Sequence, residues 1–323
     1  MSAEIEERID KIPIINWVAT ALKKIKLPGF EGLSAYDLIE MYIVGVVEGA
    51  LSTRASSIAF SLFLALFPLL IFMVTMVPFI IDIFNLENTN FDSEFPQFLE
   101  SFLPTATGEY FGEIFQQIKD QKPQGGLLSS AFLLSIFLMA NGVNSIFSGF
   151  ETSYHVSLTR NFFKQYAYAL MVGLILSILI VVGFVAYIYF QFYVLGYLTD
   201  FAARTGGYVL EEGEIRGVQI AKVLFFMILS YFITAILYYF GTREGREARF
   251  FSAGALMTAL LFLLTSYAFG VYVEKFARYN ELYGALGGLL ILMVYIWLNS
   301  NILLLGFELN ASLNRLRRNI KRK

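Results

Sequence analysis

Six long apolar stretches constrain this chain more than any other feature. They run from about Ile58 to Ile83, Leu127 to Phe147, Tyr166 to Leu198, Val218 to Phe240, Phe251 to Val273 and Gly284 to Phe307. A helix needs about 20 consecutive apolar residues to cross a bilayer core. Lipid offers no partner to backbone N–H and C=O groups, so a spanning segment is either a helix or part of a closed barrel. The barrel signature, alternating strands of about ten residues, is absent. The pattern therefore predicts an all-α integral membrane protein, a six-transmembrane-helix bundle. Composition agrees at the point where it matters: 15% of residues are charged, against roughly 25% in a soluble domain that must cover its surface.

Charge and residue usage exclude several functions. The net charge of −2 gives no global basic field for phosphate backbones, so no nucleic-acid partner is expected. With no Cys and one His, the chain cannot build thiolate metal sites, iron–sulfur clusters, disulfides or a multi-histidine centre. No phosphate-binding loop of the Walker type, no HExxH and no GxSxG is present. No catalytic residue, metal or cofactor is expected.

The basic residues orient the bundle. Seventeen of the 24 Lys and Arg lie in the N-terminal 54 residues, the loops near 148–165 and 241–250, and the C-terminal tail. The three alternate loops hold two each. Positive charge marks the cytoplasmic side, so both termini are expected there, in agreement with an even number of spans. No short apolar region precedes a cleavage site, so no secretory signal peptide is expected.

Between the spans the sequence predicts further structure. Residues 1–54 read as cytoplasmic amphipathic helices, with a stripe at Leu38/Ile39, Tyr42/Ile43, Val46/Val47 and Ala50/Leu51 that suits the membrane interface or the bundle surface. Residues 55–310 form the transmembrane domain, and 311–323 a basic cytoplasmic tail. Within that domain, 85–126 carries seven acids against two Lys and two amphipathic patches, Phe95/Phe98/Leu99/Phe102 and Tyr110/Phe111/Ile114/Phe115/Ile118, separated by Pro104. This reads as an extracytoplasmic helical hairpin, either capping the bundle or resting on the outer leaflet.

Polar residues inside lipid are expensive unless satisfied, so function is sought there first. Pro68 and Pro78 interrupt the first span and predict a kinked helix, lining a cavity or shaped for packing. Asn141, Asn144, Ser148 and Glu151 recur every three or four residues, a ladder expected to face the bundle interior as a hydrogen-bonding seam or a path. The last span carries Asn299, Ser300, Asn301, Glu308 and Asn310; Asn299 and Asn301 point in different directions. Glu308 needs a cation, and Arg54 is the expected partner, as a structural clamp or a proton-coupling pair. Gly284 and Gly288 form a small-residue face that permits close helix approach and a homo-oligomer. His155, in a short loop near Glu151 and Arg160, reads as a surface residue or a pH sensor. Arg243, Arg246 and Arg249 form the densest loop patch and are expected to touch anionic lipid headgroups.

Three segments carry a family resemblance. RASSIAFSLFLALFPLLIF (Arg54–Phe72) resembles the first-span signature of the YihY/BrkB family, often labelled ribonuclease BN-like. YGALGGLLILMVYIWLNSNILLLGFELNA (Tyr283–Ala311) is similar to its last-span signature, including Gly306, Glu308 and Asn310. NGVNSIFSGFETSYHV followed by RNFF resembles its loop after the second span. The likeness covers about residues 35–312 and leaves out the first 34 residues and the basic tail. It implies a multi-pass protein of the bacterial inner membrane, with lipid or amphiphile export among the roles proposed for the family. The ribonuclease label does not carry over, because the chain lacks a general base and metal ligands within reach of a phosphate.

The leading reading is transport or translocation of a lipid or other amphiphile without an ATPase of its own. The candidate polar path comprises Arg54, Pro68, Asn141, Asn144, Glu151, Asn299 and Glu308. The alternatives are an envelope scaffold that binds partner proteins and an intramembrane enzyme acting on lipids.

Overall fold

The computed structural model describes residues 51–84, 130–153, 159–195, 216–247, 249–276 and 286–321, with residue 156 and scattered positions within 23–50 and 94–98. Six long helices carry the fold: α1 (Leu51–Phe84), α2 (Ser130–Glu151), α3 (Phe162–Tyr189), α4 (Arg216–Gly241), α5 (Ala253–Phe276) and α6 (Leu286–Lys321). All six are long and apolar enough to cross a membrane. The expected hairpin at 85–126 and the helices at 1–54 lie almost wholly outside the described residues, as do His155 and Gly284.

Local chemistry explains where the helices begin. Ala50 takes a left-handed conformation at φ 46°, which separates the preceding stripe from α1. Asn161 caps α3, its side chain accepting from the Lys164 N–H at 3.2 Å. Ser252 does the same for α5 through the Ala255 N–H at 3.3 Å. The third apolar stretch extends beyond α3 as a π-helical segment, Phe190–Leu195. α1 runs unbroken through Pro68 and Pro78, and α6 continues without interruption past residue 311.

Each helix packs on its neighbour in sequence, and α6 closes on α1, so the six form a ring. Arg54 on α1, Glu151 on α2, Gly241 on α4, Gly254 on α5 and Glu308 on α6 gather at one end, here the terminal end. Two large apolar clusters pack much of the ring, with a smaller one between α5 and α6. The one at the terminal end joins Ile58, Phe147, Phe150, Tyr238, Leu304 and Phe307, with the Phe150 and Phe307 rings stacked at 4.1 Å. The other, toward the opposite end, joins Phe72, Met73, Phe184, Tyr187, Ile188 and Phe226, and receives Phe95 and Phe98 from the chain between α1 and α2. The ring's outer surface exposes Leu64, Phe137, Ile178, Ile228, Leu260 and Leu264. That outward apolar face accounts for the shortage of charge, since lipid rather than water is the solvent.

Candidate functional site

Arg54 and Glu308 meet. One guanidinium nitrogen (Nη2) lies 2.7 Å from Glu308 Oε1, and the side chains are 8% and 0% exposed. The other, Nη1, donates to the Gly149 carbonyl at 2.9 Å, and Ser153 Oγ donates to Glu308 Oε2 at 2.8 Å. Both charges are thus neutralised by each other and by hydrogen bonds, which is what lets them sit in the packed end of a membrane bundle. The pair ties the first helix to the last and reaches α2 through Gly149 and the residue just beyond its end, Ser153. The pairing follows the sequence expectation; Ser153 and the Gly149 carbonyl had no signal beyond proximity to the polar ladder.

A second pair stands beside it. Arg160 Nη1 donates to the Gly241 carbonyl at 2.9 Å and lies 3.8 Å from Glu151 Oε1. The Arg160 backbone N–H reaches both Glu151 oxygens at 3.2 and 3.3 Å. Its guanidinium also stacks 4.5 Å from the Tyr168 ring, as does that of Arg246. Burial holds Arg160 below the usual arginine range, Glu151 acts against that shift, and Arg246 adds to it. Arg243, Arg246 and Arg249 are all exposed at this end. Of the three, Arg246 is fixed by its stacking on Tyr168.

The seam between α5 and α6 explains the Gly–x–Glu–x–Asn run that ends the last span. Gly306 lies against the Gly254 backbone, Thr258 and Tyr238, and a Cβ there would collide with the Thr258 hydroxyl. Tyr238 donates to the Leu303 carbonyl at 2.7 Å and shares a 2.6 Å hydrogen bond with Thr258. Asn310 Oδ1 accepts from the Gly254 N–H at 2.8 Å, satisfying an orphan donor in the first turn of α5. Within helices packed in lipid, close backbone approach and satisfied polar groups supply the association that hydrophobicity cannot. Among the described residues, Gly306 is the glycine of the last span seen in close approach to a neighbouring helix. Gly288 is simply buried inside the chain.

The polar ladder of α2 is split: Glu151 is buried at the terminal end, as expected, whereas Asn141, Asn144 and Ser148, contrary to expectation, do not face the interior. Asn141 and Ser148 are exposed and Asn144 is half-buried. Gln165 of α3 covers the ladder, donating to Asn144 Oδ1 at 3.1 Å and to Ser148 Oγ at 2.8 Å. The interior face of α2 is instead Gly142, Val143, Ile146, Phe147 and Phe150, where small and apolar groups let α1 approach. Close packing needs that smooth face, so the polar one turns to the outer groove against α3.

Between the two large apolar clusters lies a cavity of about 370 Å³, lined by residues of all six helices. Among the described residues, its wall is apolar except for Ser177, Ser230, Ser266, Tyr295, Asn299 and Ser300, and none of the lining residues is charged. Asn299 is the one member of the candidate path that lines it. Pro68 is buried beside it, while its neighbours Leu66 and Leu69 face in. Arg54, Asn144, Glu151 and Glu308 stand outside, toward the terminal end, and Asn141 is outside on the exposed face of α2 at the depth of the cavity. Ser300 stood out within the polar run of the last span, whereas Ser177, Ser230 and Ser266 did not, because lone Ser residues on three different helices have no spacing that announces them.

The model of the family described as virulence factor BrkB matches residues 43–323. The chain belongs to the BrkB family. The match includes the basic tail, which the resemblance in the sequence had left out, in keeping with the unbroken course of α6. Among curated relatives, the putative ribonuclease-like protein YfkH of Bacillus subtilis is 24% identical over 268 residues, covering 81% of this chain and 90% of its own. A UPF0761 membrane protein of Histophilus somni is 26% identical over 284 residues, 86% of this chain and 90% of that one. Another, from Aggregatibacter aphrophilus, is 28% identical over 278 residues, 84% and 89% of the two chains. No solved structure matches. This BrkB-family chain is therefore an integral membrane protein.

Proposed function

We propose that this BrkB-family protein translocates a lipid or other amphiphile across the bacterial inner membrane without an ATPase of its own, with both termini in the cytoplasm. The observation that carries the reading is the uncharged cavity at mid-bundle. Ligand pockets fall in the range of about 300–1,000 Å³, and this one, at about 370 Å³, lies within it. Apolar walls suit an acyl chain and offer no route to a hydrated ion. Aromatic clusters closing the cavity toward both ends fit an occluded state between openings. The buried ion pairs act as clamps at the terminal end, and Arg243, Arg246 and Arg249 contact anionic headgroups there.

Reconstitution tests this. Proteoliposomes carrying fluorescent anionic, zwitterionic and uncharged lipids are expected to expose inner-leaflet label to a membrane-impermeant quencher faster than protein-free vesicles. Equal rates for every lipid remove the translocation reading.

A further inference from the structure

The polar groups of the cavity wall share a chemical bias. The Ser177 hydroxyl donates to the Gly173 carbonyl at 2.8 Å, and that of Ser300 to the Ile296 carbonyl at 2.8 Å. Asn299 Nδ2 donates to the Tyr295 carbonyl at 2.9 Å. All three donors are spent on backbone one turn earlier, as Ser and Asn in lipid-embedded helices commonly do. The Tyr295 hydroxyl faces Ser266 across α5 and α6 and is also approached by the Asn299 side chain. What Ser177, Asn299 and Ser300 chiefly still offer is lone pairs. Asn299 Oδ1 is enclosed and has no donor within hydrogen-bond distance, and the bond made by Nδ2 fixes which end of the amide is the oxygen.

A wall with few free donors and no cation cannot satisfy a phosphate or carboxylate. A wall with no acid cannot neutralise an ammonium, so either charge would enter at a large desolvation cost. An uncharged donor meets neither obstacle. An apolar cavity of roughly 150 Å³ holds a benzene ring; by that scale, 370 Å³ accommodates a chain on the order of a dozen carbon atoms.

We infer that the cavity takes an uncharged, single-chain amphiphile bearing a hydroxyl, whose O–H donates to Asn299 Oδ1 while its alkyl chain lies among Leu62, Leu66 and Leu176. This assignment rests on the cavity being an amphiphile site. Saturable binding of 1-dodecanol, its methyl ether, dodecane and dodecyl phosphate to the full chain in nanodiscs separates the two claims. The alcohol is expected to bind about tenfold more tightly than the ether or the alkane, because a buried acceptor is satisfied only by the alcohol. The Asn299→Leu variant is expected to bind alcohol and alkane equally. Equal binding of alcohol, ether and alkane by the wild-type chain overturns the hydroxyl assignment and leaves an apolar amphiphile site standing. Tightest binding of dodecyl phosphate overturns the uncharged class. No saturable binding of any chain overturns both claims, and a preference that survives Asn299→Leu overturns the role of Asn299.

Discussion

Removing Arg54 from its pair with Glu308 tests how the ring is closed. The Arg54→Met substitution leaves the Glu308 carboxylate fully buried, with the Ser153 hydroxyl at 2.8 Å as its remaining side-chain partner. Opposite unit charges about 4 Å apart attract by roughly 4 kcal/mol at an effective dielectric near 20. Breaking a buried pair costs about 3–5 kcal/mol, because the survivor is stranded. At 8% and 0% exposure, the discount for solvent-screened pairs does not apply. Arg54→Met and Glu308→Gln are each expected to lose about 3–5 kcal/mol. The double variant strands no charge and is expected to lose less than the sum by ~3 kcal/mol. Equilibrium unfolding in mixed micelles, followed by far-ultraviolet circular dichroism, measures all three. Single losses below ~1 kcal/mol, or a double loss equal to the sum, would refute the clamp. Transport by a folded double variant separates a clamp from proton coupling, since only the latter requires the titratable group.

Other positions give sharper local tests. Gly306→Ala forces a methyl group into the Thr258 hydroxyl, and an overpacking loss of about 1–3 kcal/mol or more is expected in the same assay; unchanged stability contradicts the seam. Asn310→Ala strands the Gly254 N–H, and a loss of about 1–3 kcal/mol is expected. Gln165→Ala touches the half-exposed ladder of α2, and stability within about 1 kcal/mol of wild type is expected; a large loss would make that ladder a core seam after all. Because the chain has no cysteine, Ser230→Cys provides a single label inside the cavity. Phe98→Ala, which withdraws a ring packed on Phe226 at the cavity margin, is expected to speed its reaction with a membrane-impermeant maleimide. Equal rates with and without Phe98 exclude that ring as a seal.

Much of the site was legible because charge in lipid is conspicuous. Glu308 and Arg54 stand out against apolar neighbours, and each needs an opposite charge, so their pairing could be read across 254 positions. The direction of a polar face could not. Asn141, Asn144 and Ser148 share a face by helical spacing alone, but spacing leaves open whether that face meets α1 or α3. The decision fell to steric fit, since Gly142 packs on Ala65 of α1 while Gln165 offers the ladder hydrogen bonds. Gly306 was legible as part of a motif, whereas its purpose, contact with Gly254, required knowing which helix lies opposite.

The cavity marks the boundary between the two kinds of information. Hydropathy alone determined six crossing helices, because the cost of burying unpaired backbone in lipid depends only on a segment's length and polarity. It also singled out the charged residues, whose desolvation cost is large wherever they sit. The cavity's existence, its uncharged wall and the inward aim of Asn299 were decided by the tertiary structure. An empty volume is a shortfall of packing among six helices at once, and no stretch of one helix encodes it.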